Sequence, residues 1–355
     1  MLTQHVGGDD GAAPARPSSQ WHTSIPPQPR CVVATAPLRA SLVGGGTDFA
    51  DFYRTGYGAT VSLALRRFAV ITLARTARAG ITMLAEQECW APSVEQLPAG
   101  PVREALRMFG IGPPLHVSIC LDVPPGTGLA SSSAIAVALV AGLRVLLGET
   151  PDPASIAADA CHLEIERLHA PIGRQDQYIS CVGGARYLKY LPGDTVEIGQ
   201  ELLRAEDVEQ CERHMMFFFT GDIRRTDEIA VMQQQRITHN HAKLHAMREL
   251  ADEMRRLFGG GRIDWREIGR MVNENWRLKR ELHPRMSSPR VDAWLEVAAA
   301  QGAYGGKLLG AGHGGCVLVI APPEYHERIR DALGRPPGFP TRLDRAGVRV
   351  HSVVD

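Results

Sequence analysis

The chain has 355 residues, enough for two domains, because single hydrophobic cores stop growing at roughly 250 to 300 residues. Lysine plus arginine and aspartate plus glutamate both number 39, so the formal net charge is zero and no global field favours nucleic acid or an anionic membrane as partner. Seven cysteines without a close pair argue against a disulfide framework or a zinc knuckle. We therefore expect a small, local ligand, with no nucleic acid and no membrane.

The N-terminal segment carries too little apolar content to form a core. Residues 1–30 mix Pro, Gly, Ser and Asp, so we expect a disordered tail rather than a signal peptide. The longest apolar run, residues 134–147, is shorter than the roughly twenty residues that span a bilayer, and it contains Arg144. The sequence therefore predicts a soluble, cytoplasmic protein.

Alternating apolar side chains predict the strands of the first half. These strands are expected at residues 31–35, 60–65, 68–74 and 117–121. Helices are expected to follow Thr47, Ser133 and Asp152.

The second half opens with a strand-like run at residues 214–220. Helix-rich stretches are expected at residues 226–257 and 264–281. Ser288 and Pro289 form an N-cap and first-turn pair for a helix that ends at Gly302, and a final buried strand is expected at residues 316–320. Because strands and helices are mixed without strict alternation, we expect an α+β fold. The predicted domains are residues 31–208 and 209–355.

A loop rich in glycine and serine, PPGTGLASSS at residues 124–133, opens the apolar helix. The first N–H groups of a helix lack internal partners and carry the positive end of its dipole, and glycines let the backbone approach an anion closely. A simple turn and helix cap has the same composition. The nucleotide-binding candidates are Pro125, Gly126, Thr127, Gly128, Leu129, Ala130, Ser131, Ser132 and Ser133.

The helix after Pro153 places a carboxylate on its apolar face. At 100° per residue Glu164 falls among the apolar positions, whereas Glu166 points the opposite way. A carboxylate on an apolar face is costly unless it is paired or binds a cation. Glu164 is therefore either a cation ligand or one half of a buried pair with an arginine, and Glu166 is expected to be solvated.

Two further carboxylates complete the constellation. Asp176 lies in PIGRQDQY, just after this helix, and Asp48 lies in SLVGGGTDF. An isolated aspartate at such a place is most often an N-cap. Together with the phosphate loop and Glu164, however, these residues are what magnesium-assisted phosphoryl transfer to a hydroxyl requires.

Three motifs in this order resemble those of the GHMP kinases, the family of galactokinase, homoserine kinase and mevalonate kinase. They are APLRASLVGGGTDF at residues 36–49, PPGTGLASSSA at residues 124–134 and KLLGAGHGGCVLVI at residues 307–320. The resemblance implies ATP and Mg²⁺ as cofactors and a two-domain fold. Its N-terminal domain would have a left-handed βαβ crossover near the nucleotide, its C-terminal domain would be ferredoxin-like, and the substrate would lie between them.

The resemblance also implies roles for single residues. Ser131 or Ser132 would bind magnesium together with Glu164. Asp176 would accept the proton of the substrate hydroxyl, and Arg39 would stabilise charge beside it. A guanidinium orients a neighbouring general base and favours its charged form.

Three segments most resemble D-glycero-D-manno-heptose 7-phosphate kinases, which phosphorylate the anomeric hydroxyl to give the 1,7-bisphosphate. They are GGGTD at residues 44–48, GRQDQY at residues 173–178 and the run at residues 273–292. Galactokinase-like members carry Glu-His-Thr-Asp where this chain reads Gly-Gly-Thr-Asp, so galactose is not the expected substrate. The expected substrate contacts are Gly45, Gly46, Thr47, Asp48, Gln175, Arg224, Lys279, Arg280, Gly312 and His313. Of these, Arg224, Lys279 and Arg280 would hold a phosphate that the acceptor already carries, although a basic helix face is usually only solvated.

Several alternatives stay open. Gly310, Gly312 and Gly315 satisfy a G-x-G-x-x-G count, but a dinucleotide fingerprint must open a helix, whereas this loop leads into an apolar strand. The kinase could act on a cyclitol phosphate, fucose or a related sugar. A family member that has lost catalysis would bind a sugar phosphate as a regulator. A homodimer is also open, because homodimers are common among soluble proteins.

Overall fold

A computed structural model describes residues 29–222, 231–232 and 234–354 of the chain. Most of the predicted tail lies outside these ranges, as do Arg224 and the start of the helix-rich stretch predicted at residues 226–257. Among the described helices, none combines the length and the apolar character needed to cross a bilayer.

The first half of the chain is built on an eight-stranded sheet. Its strands are β1 (Cys31–Val43), β2 (Gly58–Ala74), β3 (Ile81–Leu84), β4 (Glu88–Ala91), β5 (Leu115–Leu121), β6 (Ala185–Leu191), β7 (Thr195–Glu201) and β12 (Arg349–Val353). The main path runs β12-β1-β2-β5-β3-β4, and β6 and β7 extend from β2. β3 pairs with β5 in parallel, and the other described pairs of this sheet are antiparallel.

Strand β2 joins two strands that the sequence predicts separately, at residues 60–65 and 68–74. The polar pair Arg66 and Arg67 interrupts the apolar alternation, but a register shift next to Pro37 of β1 absorbs both residues in a bulge. Before the bulge, at residues 58–63, β2 pairs with β6, and after it, at residues 69–74, β2 pairs with β5. The gap in the pattern therefore marks a change of partner strand rather than the end of a strand.

Six α-helices lie before β8 in the described part of the chain. They are α1 (Ala50–Tyr53), α2 (Pro101–Met108), α3 (Ser131–Leu146), α4 (Pro153–Cys161), α5 (Gln175–Val182) and α6 (Val208–His214). The apolar helix α3 packs against β1 and β2, and its Gly142 lets it approach the side chain of Leu73 closely. It begins three residues before the predicted start, at Ser131 rather than after Ser133.

The helix predicted after Asp152 is confirmed as α4. Asp152 is its N-cap, and the Asp152 side chain accepts hydrogen bonds from the N–H groups of Ala154 and Ser155. Beyond Cys161 the helix continues as one wide turn of π-helix, His162–Arg167. Short 3₁₀ turns lie at Val94–Gln96, Ala205–Asp207 and Pro323–Tyr325.

The second half carries a four-stranded antiparallel sheet. Its strands are β8 (Met215–Phe219), β9 (Gly305–Leu308), β10 (Cys316–Ile320) and β11 (Gly338–Phe339). Its helices are α7 (His241–Gly259), α8 (Trp265–Arg280), α9 (Pro289–Ala300) and α10 (His326–Ala332). The order β11-β8-β10-β9 is fourth, first, third, second in chain order, which is the ferredoxin-like arrangement that the resemblance implies.

The final buried strand predicted at residues 316–320 is confirmed as β10. Two less buried strands that the sequence did not predict, β11 and β12, follow it. β12 returns to the first sheet and pairs with β1, with Cys31 opposite Val353. Its sequence RVHSV is half-exposed at a sheet edge and carries little apolar signal. The boundary between residues 208 and 209 stays a prediction, and β12 crosses back over it.

Candidate active site

The loop between β5 and α3 has the backbone shape of an anion-binding turn. Gly126, Gly128 and Ala130 have positive φ angles of 77°, 75° and 63°. Gly128 also has no room for a side chain, since a Cβ there would lie 2.5 Å from the carbonyl oxygen of Leu309. The loop is thus packed directly against the third glycine motif.

A cavity of about 430 Å³, which we name the loop cavity, lies at the N-terminus of α3. The predicted nucleotide-binding residues that line it are Pro125, Gly126, Gly128, Ala130, Ser131 and Ser132. The other predicted members, Thr127, Leu129 and Ser133, are buried and do not line it. Phosphate oxygens accept hydrogen bonds from helix N–H groups and from hydroxyls, so the cavity suits a nucleoside triphosphate.

The Glu164 carboxyl group lines the loop cavity and is almost fully buried. The Gln177 side-chain amide donates a hydrogen bond of 2.6 Å to Glu164 Oε2. Burial raises the pKa of Glu164 to about 7, although hydrogen bonds from Ser133, Gln177 and Ser132 act in the opposite direction. The alternative of a buried pair with arginine is wrong, because these partners are neutral. Glu166 is exposed, as predicted.

These oxygens fit a magnesium ion. Magnesium prefers hard oxygen ligands and binds through one or two carboxylates together with substrate phosphates and water. Glu164 offers a carboxylate toward the loop cavity, and Ser131 and Ser132 offer hydroxyls in the same wall. Within the described part of the chain, no three His, Cys, Asp or Glu side chains are grouped to hold an ion by themselves. An ion here would therefore be shared with phosphate oxygens of the nucleotide.

Arg39 connects the phosphate loop to Asp176. Its Nε and Nη2 atoms donate to the two carboxylate oxygens of Asp176, each at 2.7 Å, and its Nη1 donates to the carbonyl oxygen of Gly128 at 2.7 Å. The backbone N–H of Arg39 also donates to the carbonyl oxygen of Leu129. Both lone pairs of each carboxylate oxygen can accept, so Asp176 keeps acceptor capacity for a hydroxyl in front of it.

A second, smaller cavity of about 90 Å³, the inner cavity, continues from the loop cavity. The two cavities share six lining residues: Arg39, Pro171, Ile172, Asp176, Gly310 and Ala311. The predicted acceptor residues that line the inner cavity are Gly45, Gly46, Asp48, Gln175 and Lys279. Asp176 and Arg39 therefore lie on the wall that the loop cavity and the inner cavity share.

Asp48 is held rigidly in this inner cavity. Its carboxylate oxygens accept hydrogen bonds from the backbone N–H groups of Gly46, at 2.8 Å, and Gln175, at 3.2 Å. Burial raises its pKa, and the charge of Asp176 adds to that effect. Gly173 makes the position possible, since a Cβ there would lie 2.0 Å from Asp48 Oδ2.

Two residues predicted to contact the acceptor substrate, Gln175 and Thr47, form hydrogen bonds within the protein. The Gln175 side-chain oxygen accepts hydrogen bonds from the hydroxyls of Ser41 and Ser62, and Gln175 still lines the inner cavity. Thr47 lines neither cavity. Its hydroxyl donates to the carbonyl oxygen of Ala59 and accepts from the N–H of the same residue, each at 2.9 Å. Thr47 thus attaches the first glycine motif to β2.

The predicted phosphate-binding residues are divided by the structure. Lys279 is 7 % exposed, lines the inner cavity and donates to the carbonyl oxygen of Gly310 at 2.6 Å. Burial lowers its pKa to about 8, with the neighbouring charge of Arg39 acting in the same direction. Arg280, one residue on, points elsewhere and pairs with Asp292 at 3.2 Å.

The remaining predicted contacts are not brought to either cavity. Gly312 and His313 lie in the third motif beyond Gly310, and the backbone N–H of His313 donates to the carbonyl oxygen of Met286. As expected from the sequence, this glycine loop leads into a strand, β10, and not into a helix. Arg224 lies outside the described residues.

Two residues of the site escape the sequence argument. Lys307 is 1 % exposed, lines the inner cavity and donates to the carbonyl oxygen of Leu42 at 3.0 Å. Its only signal is a lysine that begins the apolar third motif. Gln177 holds Glu164, and it stands next to Asp176 without any pattern of its own.

Comparison with known proteins identifies the family. Residues 98–184 match the GHMP kinases N terminal domain, and residues 246–337 match the GHMP kinases C terminal domain. A mevalonate kinase of Pyrococcus horikoshii is 30% identical over 249 residues, 67% of this chain and 69% of that protein. The D-glycero-alpha-D-manno-heptose 7-phosphate kinase of Campylobacter jejuni is 26% identical over 323 residues, 85% of this chain and 93% of that protein.

Solved structures show the same fold. A D-glycero-D-manno-heptose 1-phosphate kinase from Bacteriodes thetaiotaomicron superposes with a TM-score of 0.75 at 21% identity, covering 91% of this chain and 100% of that one. Galactokinase of Lactococcus lactis superposes with a TM-score of 0.70 at 15% identity, covering 91% and 95%. The chain belongs to the GHMP kinase family and has its fold. It is accordingly an ATP-dependent phosphotransferase with an alcohol group as acceptor.

Proposed function

We propose that the protein transfers the γ-phosphate of ATP to the anomeric hydroxyl of D-glycero-D-manno-heptose 7-phosphate, giving the 1,7-bisphosphate. The main support is the Arg39–Asp176 pair, which lines both the loop cavity and the inner cavity. An acceptor hydroxyl in the inner cavity and a γ-phosphate in the loop cavity would meet at this pair. The expected location is the cytoplasm, where ATP is supplied.

The transfer divides among the residues as follows. Asp176 takes the proton of the acceptor hydroxyl. The hydroxyl oxygen forms a bond to the γ-phosphorus while the bond between the γ-phosphorus and the bridging oxygen of ADP breaks. Arg39 fixes the orientation of that carboxylate and ties it to the phosphate loop through Gly128. Ser131, Ser132 and Glu164 would hold the magnesium ion, which when bound neutralises charge on the phosphates.

The acceptor proposal rests on three supports. The heptose 7-phosphate kinase of Campylobacter jejuni aligns with 85% of this chain. The first motif reads Gly45-Gly46 in the inner cavity, where galactokinase-like motifs carry Glu-His. Buried Lys279 in the same cavity suits an acceptor that already bears a phosphate.

The test is an ADP-release assay with magnesium and ATP across a panel of acceptors, followed by phosphorus NMR of the product. The panel contains D-glycero-D-manno-heptose 7-phosphate, sedoheptulose 7-phosphate, fucose, galactose and a cyclitol phosphate. Turnover of the heptose phosphate with a new anomeric phosphate signal is the expected result. Turnover of another acceptor alone would keep the kinase and reject the heptose.

A regulator without catalysis remains the second candidate. It would bind the sugar phosphate but release no ADP with any acceptor of the panel. The joint presence of Arg39, Asp176 and Glu164 around the two cavities favours the enzyme, because a binding protein needs no proton acceptor beside its ligand.

A further inference from the structure

Two lysines enter the inner cavity from different elements. Lys279 lies in the last turn of α8, and Lys307 lies in β9. Both side chains are more than nine-tenths buried, and both line the cavity. Each ammonium group has three donors, and each donates one hydrogen bond, to a backbone carbonyl oxygen.

Neither lysine forms an ion pair with a described residue, although the charges of Asp48 and Asp176 act to raise the pKa of Lys279. No described carboxylate oxygen lies within 4.0 Å of either Nζ atom. The two acids of the same cavity already have partners, because both oxygens of Asp176 accept from Arg39 and the oxygens of Asp48 accept from backbone N–H groups. The cavity wall therefore carries three cationic side chains against two acidic ones.

A buried cation without a partner is expensive, and a bound anion removes that cost. Burial lowers the pKa of both lysines, and for Lys307 the charges of Lys279 and Arg39 add to the effect. The positive charges of the two ammonium groups thus disfavour each other. A dianion between them would reverse the sign of this interaction.

We propose that Lys279 and Lys307 together form a subsite of the inner cavity for the phosphate group that the acceptor carries into the reaction. This inference rests on the proposed function, which assigns the inner cavity to the acceptor. Phosphoryl oxygens could also come from the γ-phosphate of the nucleotide. The acceptor is the favoured source, because neither lysine lines the loop cavity, where the serines and Glu164 lie.

The test compares Lys307→Met and Lys279→Met with the wild type. Lys243→Met is the matched control, since Lys243 also donates to a backbone carbonyl oxygen, that of Glu281 at 2.9 Å, but lines neither cavity. The KM for D-glycero-D-manno-heptose 7-phosphate should rise about tenfold or more in both cavity variants, with the KM for MgATP within about twofold. The same sugar without its phosphate should lose much less, so the preference for the phosphorylated acceptor should collapse.

A binding measurement separates the two phosphate sources. With MgAMPPNP saturating the loop cavity, inorganic phosphate is titrated by calorimetry, and we expect binding to the wild type and to Lys243→Met but not to Lys307→Met. A rise in the KM for MgATP alone would overturn the inference in favour of the γ-phosphate. Unchanged phosphate binding in both cavity variants would overturn it altogether.

Failure of the inference and failure of the proposed function are distinguishable. If the heptose phosphate is turned over with unchanged KM by both cavity variants, the subsite is wrong and the function stands. If the wild type does not use the heptose phosphate but phosphate binding still depends on Lys307, the subsite stands and the acceptor is another phosphorylated alcohol. Should Lys307→Met fold poorly in thermal unfolding, Lys307→Gln keeps a donor for the Leu42 carbonyl and removes the charge.

Discussion

Arg39 and Asp176 lie 137 residues apart in the chain, and the Arg39 guanidinium donates hydrogen bonds of 2.7 Å to both carboxylate oxygens of Asp176. The third nitrogen of the same guanidinium bonds the carbonyl oxygen of Gly128 in the phosphate loop. One side chain therefore fixes Asp176, the proposed proton acceptor, relative to the loop that precedes α3. Such geometry is what an in-line transfer needs, because small displacements of reacting groups reduce rates strongly.

Asp176→Asn should abolish most turnover and leave nucleotide binding intact. An amide cannot take the hydroxyl proton, so we expect kcat to fall by about 10² to 10⁴ with the affinity for MgATP within about twofold. Asp194→Asn is the matched control, because Asp194 also accepts from an arginine fork, that of Arg54, away from both cavities. Full activity in Asp176→Asn would reject its role as the general base.

Arg39→Lys should be a severe change despite the retained charge. Lysine offers a point charge and cannot contact both Asp176 oxygens and the Gly128 carbonyl together. We expect kcat to fall about tenfold to hundredfold, with a smaller change in the KM for MgATP. Arg54→Lys breaks a comparable but exposed fork to Asp194 and should change kcat little. Equal effects of the two substitutions would show that charge alone matters.

Magnesium binding should depend on pH through Glu164. The pKa of this carboxyl group is raised to about 7, so below that pH an ion must displace a proton. The apparent affinity for Mg²⁺, titrated with AMPPNP present, should fall about tenfold for each pH unit below 7 and level off above it. In Glu164→Gln the affinity should be weak, and only the shallower pH dependence that the terminal phosphate of AMPPNP itself contributes should remain between about pH 6 and 8. An equally steep profile in that variant would place the titrating group elsewhere.

The same carboxyl group should cost stability at high pH when no ion is bound. Its pKa rises from 4.5 in the unfolded chain to about 7 in the fold, so its contribution favours the fold below pH 4.5 and is lost as the pH rises to about 7. Glu164→Gln should therefore be more stable than the wild type near pH 8, by up to about 3 kcal/mol, and nearly equal near pH 4. Denaturant unfolding of the two proteins at both pH values measures this difference. A constant offset at both values would contradict the assignment.

Gly173→Ala should disturb the acceptor side without touching the phosphate loop. The new Cβ would lie 2.0 Å from Asp48 Oδ2, so Asp48 must move from its backbone donors. We expect the free energy of unfolding to fall by about 1–3 kcal/mol. The KM for the acceptor should rise more than the KM for MgATP. Gly56→Ala is the control, because a Cβ at Gly56 meets nothing within 4 Å. A normal acceptor KM would show that Asp48 does not contact the acceptor.

Arg280→Ala should leave acceptor binding unchanged. Arg280 is 45 % exposed in its side chain and pairs with Asp292, outside both cavities. Exposed pairs of this kind contribute roughly 0–1 kcal/mol, so both the KM for the heptose phosphate and the melting temperature should shift little. A large rise in that KM would return Arg280 to the acceptor site that the sequence predicts for it.

Local chemistry explains which features could be predicted. The phosphate loop is visible because glycines with positive φ and a helix N-terminus are encoded within ten consecutive residues. The predicted cap at Ser288 is a short-range hydrogen bond, and the structure contains it. Glu164 follows from helical periodicity, which holds through the π-helical turn well enough to bury it and expose Glu166. Each of these signals depends on neighbours in the chain.

Long-range contacts decided the rest. The sequence alone identified the carboxylates, the phosphate loop and the family resemblance, because these are carried by contiguous motifs. The resemblance implied Arg39 beside Asp176, and the structure contains that contact. Only the tertiary structure turned Lys279 inward and Arg280 outward, and brought Lys307 to the same cavity as Lys279. It also returned β12 to β1. Side-chain direction and strand pairing across hundreds of residues depend on how helices and sheets pack, and no local pattern in the chain encodes that packing.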